Sequence, residues 1–426
     1  MTELRLPAPD EKPVVLTVAG SDSGGGAGIQ ADLKTIEATD GFGTSAVTAV
    51  TAQNTRSVDS THVLPTAEIA AQIDAVRSDF DVQAVKTGML ATAEVVERVA
   101  ADAAAFECPV VVDPVMVAAT GDRLLTEAAE SAYEALVAEA TLVTPNADEA
   151  AVLTDIDPVD EASARAAGRE ILAMGADAAL VKGGHIPGDG VIDVLVTGSG
   201  SETMRHPRID TDATHGSGCT LSAAIATRLG HGDALPTAVE RSTAFMERAL
   251  RYHHAVGSGP GAVHHLVGLR NEAARNGAIE AVYELADALD RTDPDADVGG
   301  IVAATPYAET TDDVATLETD PAAAEGGRSP ESPDADPGFG RARFGASGRL
   351  TRTLLEAREA DPSLRVGVER RLEPPFVPKL EDTGWTVVDA EADGFEGVSG
   401  SIVVSAETNR TALLVASDAN TLLNPL

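Results

Sequence analysis

Short apolar runs that end in glycine or a polar residue alternate with helical patterns along residues 14–268, and this predicts an α/β fold. The runs are apolar throughout rather than at every second residue. That suits strands buried on both faces of a doubly wound, mostly parallel sheet with helices on both sides. A length of 426 residues fits two domains. The pattern changes character after His264-His265-Leu266, so the expected domains are residues 1–268 and a smaller C-terminal α/β domain over 269–426.

The first run, 14–19, is β-branched and stops at Gly20, which reads as a buried strand. A loop, Ser21-Asp-Ser-Gly-Gly-Gly-Ala-Gly28, then feeds a helix over 29–39. It is neither a GxxxxGK[ST] nor a GxGxxG motif, so the preferred role is to let a small flat substrate lie against backbone. A strand at 46–50 leads to Gln53, and helices follow at 67–78 and from Ala93. Strands at 84–90, 110–113, 141–146 and 178–181 carry Met89, Asp113, Asn146 and Lys182 at or near their exits. Ligands of such sheets bind beyond the carboxyl ends of the strands, where these residues collect. In the tail, a helix at about 271–290 precedes an acidic, Pro- and Gly-rich insertion at about 319–337. A further helix then opens at 344–349, and strands follow at 401–405 and 412–416.

Composition narrows the partners. Aromatic residues make up only 3% against 43% hydrophobic, so the cores are expected to be Ala, Val and Leu. A net charge of −37 with five lysines argues against nucleic acid and anionic membrane surfaces. The same acid excess suits a salt-rich, halophilic cytosol that screens self-repulsion. Two cysteines, Cys108 and Cys219, indicate neither a disulfide framework nor a Cys-based zinc site. No run reaches the ~18 apolar residues of a membrane span. The first 13 residues lack an apolar leader, and a cytoplasmic protein is expected.

The stretch from Thr214 to Cys219 carries the strongest chemical signal. Gly216 and Gly218 permit close backbone approach, and the helix that follows leaves main-chain N–H groups free for an anion. Thr214, Ser217 and Cys219 lie beside those donors. Taken alone, this stretch is more simply read as an ordinary glycine-containing helix start. Lys182, ending a buried strand, would bring the cation that phosphoryl transfer needs. Asn146 and Glu149 are one helical turn apart, which suits a hydrated Mg²⁺, although an Asx turn followed by an N-terminal acid explains them as well. Asp113 would join that metal site or simply cap. Gln53 offers a donor and an acceptor to an aminopyrimidine edge. Asp32 offers an acceptor to an amino group, although alone it reads as a solvated helix acid, and Met89 an apolar wall, although core filling is the default for a lone Met. His185 and His215 flank the site in supporting positions, while His62, His206, His253 and His254 carry no assignment.

Together, Gly20-Ser-Asp-Ser-Gly-Gly-Gly-Ala-Gly-Ile-Gln-Ala-Asp-Leu-Lys-Thr35, Ala52-Gln-Asn-Thr55, Lys86-Thr-Gly-Met-Leu90, Val112-Asp-Pro-Val-Met116, Lys182-Gly-Gly-His185 and Thr214-His-Gly-Ser-Gly-Cys-Thr-Leu-Ser222 closely resemble the hydroxymethylpyrimidine/phosphomethylpyrimidine kinases of the ribokinase-like superfamily. The resemblance spans about residues 13–268. It implies two ATP-dependent phosphorylations, of 4-amino-5-hydroxymethyl-2-methylpyrimidine and then of its monophosphate. It places Gly20, Asp32, Gln53 and Met89 at the pyrimidine and Lys182 with residues 216–219 at the phosphates. It also gives Mg²⁺ to Asn146 and Glu149. Cys219 stands where sugar kinases of the superfamily carry a catalytic Asp, which puts it beside the substrate hydroxyl. Its use as a base requires the helix terminus to lower its pKa. The Ala119-Thr-Gly-Asp122 stretch departs from a Lys-Ser-Gly-Asp common in the family. The expected partners are a small pyrimidine and ATP, with a homodimer as the assembly. A pyridoxal kinase, or a thiamine-phosphate-binding regulatory protein, is the alternative.

The tail is similar to ThiN-type thiamine-phosphate synthase domains through Asp312-Asp-Val-Ala315 and Phe344-Gly-Ala-Ser-Gly-Arg-Leu-Thr-Arg352. Ser347, Arg349 and Arg352 are its candidate phosphate contacts. The family commonly has His at the place of Arg349 and a Gly-Arg where this chain reads Thr316-Leu-Glu-Thr319. Little or no synthase activity is therefore expected.

Overall fold

The computed structural model describes residues 10–116, 127–184, 186, 188, 190–292, 297–318, 341–371, 386–388, 395, 402–405 and 411–423. The chain divides into two compact units, Met1–Val267 and Gly268–Leu426. The acidic insertion at 319–337, His185 and the stretch Ala119–Asp122 lie outside the described residues.

In the first unit the strands are β1 (Val14–Ser21), β2 (Phe42–Gln53), β3 (Val58–Val63), β4 (Val82–Thr87), β5 (Val110–Val112), β6 (Leu142–Val143), β7 (Ala178–Val181), β8 (Gly190–Thr197) and β9 (Gly200–Pro207). They form one sheet in the order β3-β2-β1-β4-β5-β6-β7-β8-β9. The six strands from β2 to β7 run parallel, and β3 and the β8–β9 hairpin add antiparallel edges. The helices are α1 (Gly28–Ala38), α2 (Thr66–Asp79), α3 (Ala93–Ala103), α4 (Glu127–Val137), α5 (Ala147–Thr154), α6 (Glu161–Ala173), α7 (Ser217–Gly230) and α8 (Leu235–Arg251).

Strand periodicity divides the sheet between two helical layers. Leu16, Val18 and Val85 join Ile69, Ile73, Val95, Val99 and Leu136 of α2, α3 and α4 in one core. The intervening residues face α1, where the Thr17 hydroxyl donates to Asp32 at 2.6 Å and Lys86 Nζ to both Asp32 oxygens at 2.9 Å. On that side α1 packs on α7, and α7 on α8. Helix α7 is buried continuously from Thr220 to Thr227, with small residues at Ser222, Ala223, Ala224 and Ala226. From β1 the chain steps outward to β2 and β3 on one side, and the connection from β3 through α2 to β4 crosses to the other, so the order reverses at β1 and opens a crevice at the carboxyl ends.

The second unit holds α9 (Val267–Ala273), α10 (Arg275–Thr292), β10 (Val298–Ala304), β11 (Val314–Glu318), β12 (Arg343–Phe344), α11 (Arg349–Ala360), β13 (Val366–Arg371), β14 (Thr386–Val388), β15 (Ile402–Ser405), β16 (Thr411–Ala416) and α12 (Ala419–Leu423). Its sheet runs β12-β11-β10-β13-β16-β15-β14, antiparallel except for β14 with β15. Helix α10 covers one face through Val282, Leu285 and Leu289, and α11 the other through Leu350, Leu354 and Ala357.

Leu136 is fully buried against the first core. Leu136→Ala is expected to lower the unfolding free energy of the first unit by about 3 kcal/mol, read from a shifted urea midpoint.

Candidate functional site

A cavity of about 700 Å³ opens at the carboxyl ends of the parallel strands. Gly20, Gln53, Met89, Asp113, Asn146, Glu149, Lys182, Thr214, Gly216, Ser217, Gly218 and Cys219 all line it. Residues from six separate strand exits and one helix start thus meet in one place. Asp32 is the exception.

At one end the walls are flat and close. A Cβ on Gly20 would lie 2.2 Å from Met89 Cε, and one on Gly28 (φ +57°) would lie 2.4 Å from the Gly20 carbonyl oxygen. Asp22 organises the glycine loop. Its Oδ1 accepts from the Gly24 amide at 2.8 Å, and its Oδ2 from the amides of Gly26 at 3.0 Å and Ala27 at 2.8 Å. His215 Nε2 stands 3.0 Å from the same Oδ2. Burial works against the charged carboxylate, yet the hydrogen bonds from His215, Ala27 and Gly24 outweigh it and hold the Asp22 pKa below its ordinary value. Gln53 is clamped by Ser23, whose hydroxyl accepts from the Gln53 amide at 2.8 Å and donates to its carbonyl at 2.7 Å. A strap then covers the neighbouring turn: Gly259 N donates to Thr55 Oγ1 at 3.0 Å, and Cβ atoms at Gly257 and Gly259 would collide with Thr55.

At the other end lies the start of α7. Gly216 has φ +81°, and a Cβ there would sit 1.8 Å from the Gly26 carbonyl oxygen, so the two glycine turns touch backbone to backbone. The Ser217 amide bonds to Thr214 O, whereas those of Gly218 and Cys219 have no acceptor among the described residues. Lys182 Nζ lies 3.2 Å from where a Gly218 Cβ would be. It donates to Asp113 Oδ1 at 3.1 Å and stands 4.0 Å from Glu149 Oε2. Asp113 Oδ2 is buried and has no partner among the described residues. Asn146 and Glu149 form a capping box: Asn146 Oδ1 accepts the Glu149 amide at 2.9 Å, and Glu149 Oε2 the Asn146 amide at 2.8 Å. Burial, with Lys182 opposing and Asp113 assisting, pushes the Glu149 carboxyl up to about 7.

One expectation changes, and the condition set for Cys219 as a base is not met. Asp32 is fully buried between β1, β4 and α1, and its carboxylate is taken up by Lys86 and Thr17 rather than offered to the cavity. Lys86 lines the cavity in its place; desolvation opposes its charge, but Asp32, Cys219 and Asp113 raise its pKa. The helix terminus also fails to acidify Cys219. Burial, with nearby Asp32 and Asp113 adding to it against Lys86, pushes the thiol up to about 11. A protonated thiol is no base at neutral pH.

Asp22 and Lys86 were missed in the sequence. Asp22 leads a glycine run, where an Asx turn is the usual outcome, and Lys86 interrupts an apolar strand, so it needed a buried partner. His206, which had no assignment, also lines the cavity. Its Nε2 stands 3.0 Å from Asp193 Oδ2, and that bond raises its pKa over the opposing effect of burial.

In the second unit Ser347, Arg349 and Arg352 are exposed around the first turn of α11. Next to them Arg275 stacks 3.9 Å over the Phe344 ring and donates to Asp312 O at 2.6 Å.

The phosphomethylpyrimidine kinase family model matches residues 22–264, and the thiamine-phosphate synthase ThiN model matches 298–401. The hydroxymethylpyrimidine/phosphomethylpyrimidine kinase of Streptomyces coelicolor is 49% identical over 258 residues, 60% of this chain and 96% of that protein. The phosphomethylpyrimidine kinase structure from Clostridium difficile is 37% identical with a TM-score of 0.51, covering 56% of this chain and 99% of that one. The Staphylococcus aureus pyridoxal kinase in complex with AMP-PCP and pyridoxal is 30% identical with a TM-score of 0.56, covering 61% and 96%.

A thiol raised from 9.0 to about 11 holds about a hundredfold less thiolate at pH 8. In a Cys108→Ala background, alkylation of Cys219 by iodoacetamide is expected to be slower by that factor than for an ordinary thiol, and to climb between pH 10 and 11 rather than near 9.

Proposed function

The chain belongs to the phosphomethylpyrimidine kinase family, and from that premise we propose that its cavity transfers the terminal phosphoryl group of ATP to 4-amino-5-hydroxymethyl-2-methylpyrimidine and then to the monophosphate. The observation that carries the reading is the joining of two chemistries in one cavity. Gln53, Gly20 and Met89 form a flat, amide-edged slot, and the Gly218 and Cys219 amides beside Lys182 form an anion site.

The hydroxymethyl group would lie between the slot and the start of α7, near Cys219. Charge that develops on the moving phosphoryl group would fall on the two amides and on Lys182, whose pKa Asp113 and Glu149 raise against desolvation. A loose transition state retains the hydroxyl proton until late, so no strong base is required of Cys219. For Mg²⁺ the donor set fits as oxygen ligands: the buried, unpartnered Asp113 Oδ2 and the Glu149 oxygen left outside the capping box. Asn146 Oδ1 is already engaged by that box. When bound, the ion would neutralise phosphate charge.

Pyridoxal is the second reading, supported by the likeness to the pyridoxal-bound kinase. The acid excess supports a salt-rich cytosol as the working environment, and no described helix is long and apolar enough to cross a membrane. A homodimer and the absence of a nucleic-acid partner belong to the same proposal. For the second unit we propose binding of a phosphate ester at Ser347, Arg349 and Arg352 without synthesis, since no general base stands among these three residues.

With ATP, Mg²⁺ and the pyrimidine at high salt, the purified chain should form first the monophosphate and then the diphosphate, resolved by ion-exchange chromatography. Lys182→Ala should lower kcat by about a hundredfold or more. Phosphorylation of pyridoxal but of neither pyrimidine would overturn the reading. Supplied with the pyrimidine diphosphate and thiazole phosphate, the full-length chain should yield no thiamine phosphate above the uncatalysed rate. A clear yield would show the second unit to be an active synthase.

A further inference from the structure

We infer that Asp22 and His215 are positioning residues that lock the Gln53 side-chain amide in one orientation, carbonyl toward His215 and amino group toward Thr51, and so decide which heteroaromatic edge the cavity accepts. The inference rests on the functional reading above, since it concerns the group that would meet the pyrimidine.

The argument is an accounting of protons. Asp22 is a carboxylate and can only accept. His215 Nε2, 3.0 Å from Asp22 Oδ2, must therefore carry a hydrogen and donate it. At the other side, Thr51 has a single hydroxyl proton, which it gives to the Ser21 carbonyl at 2.7 Å. Its oxygen can then only accept from other neighbours.

Gln53 stands between these two fixed groups. As placed, its Nε2 is 3.4 Å from His215 Nε2 and its Oε1 3.3 Å from Thr51 Oγ1. Oxygen and nitrogen of an amide exchange places by a half-turn about the last torsion at almost no steric cost, so the neighbours' protons choose. Nitrogen toward His215 would set donor against donor and, at Thr51, acceptor against acceptor. The reverse orientation gives Thr51 Oγ1 an amide donor and lets the single Nε2 hydrogen of His215 be shared between Asp22 Oδ2 and the Gln53 carbonyl.

The surroundings do not allow the lock to slip. The imidazole packs directly on the glycine loop, where a Cβ on Gly26 would come within 2.6 Å of His215 Cδ2. Ser23 holds the Gln53 main chain from both sides. What remains for a ligand is one lone pair on the Gln53 carbonyl and one hydrogen on its amino group. A 4-aminopyrimidine edge, with an exocyclic donor beside a ring-nitrogen acceptor, matches that pair. The 4-oxo analogue, with an acceptor beside a ring N–H, needs the opposite orientation. A free glutamine would turn to suit either ring; a locked one rejects the second.

Calorimetric dissociation constants for the 4-amino and 4-oxo rings test this without requiring turnover. The native chain should prefer the amino ring. In His215→Ala the ratio of the two constants should fall at least tenfold. His215→Gln, whose amino group can reach the Nε2 position and donate to both Asp22 and Gln53, should recover most of it. A ratio within twofold of native in a folded His215→Ala protein overturns the inference, as does a His215→Gln variant no better than alanine. If His215→Ala does not fold, Thr51→Val removes the opposite anchor at nearly constant shape and carries the same expectation. Binding of neither ring overturns the inference together with the reading it rests on. Amino-ring binding without ATP-dependent phosphorylation removes only the latter.

Discussion

The backbone contact between Gly216 and Gly26 is the constraint on which the site depends. With a Cβ excluded at 216 by the 1.8 Å approach, the turn after β1 and the turn into α7 share one surface. The first turn carries Gly20 and, through Ser23, holds Gln53 of the ring slot; the second carries the Gly218 and Cys219 amides of the anion site. Asp22 and His215 fasten the two across the same line. The separation of ring and phosphoryl subsites is thus set by main chain, and side chains adjust only what each subsite recognises.

Charge inside the cavity is arranged in pairs. Lys86 is matched by Asp32 and Lys182 by Asp113 and Glu149, all largely removed from solvent. Such pairs contribute little net stability, but the loss of either partner strands a buried charge. Two of the chain's five lysines are used this way. In a protein with so strong an acid excess, the cation near the phosphates cannot come from the surface background. It has to be held internally.

Much of this was legible in the sequence. Strand β7 is four buried apolar residues, Ala178–Val181, and its bounds follow from hydrophobicity alone. The clustering of Gln53, Met89, Asp113 and Lys182 follows from the rule that parallel strands present their exits together. What stayed hidden depends on tertiary distance. The β8–β9 hairpin escaped because β9 is an exposed, polar edge with no apolar run. Asp32 reads as a helix acid until a lysine 54 residues away is found against it. Cys219 shows the limit of arguments from one element: a helix start favours thiolate, but desolvation of the thiol, with Asp32 and Asp113 nearby, outweighs it.

The strap that bonds Gly259 to Thr55 joins residues 204 positions apart, near the end of the first unit. On the ribosome, the glycine loop, Gln53 and Lys182 emerge long before it, and until then the turn beside Gln53 lacks its cover. Because His215 also comes late, a nascent chain exposes a half-built slot until these residues have emerged. The second unit, translated afterwards, gives the first time to finish closing before the chain is released.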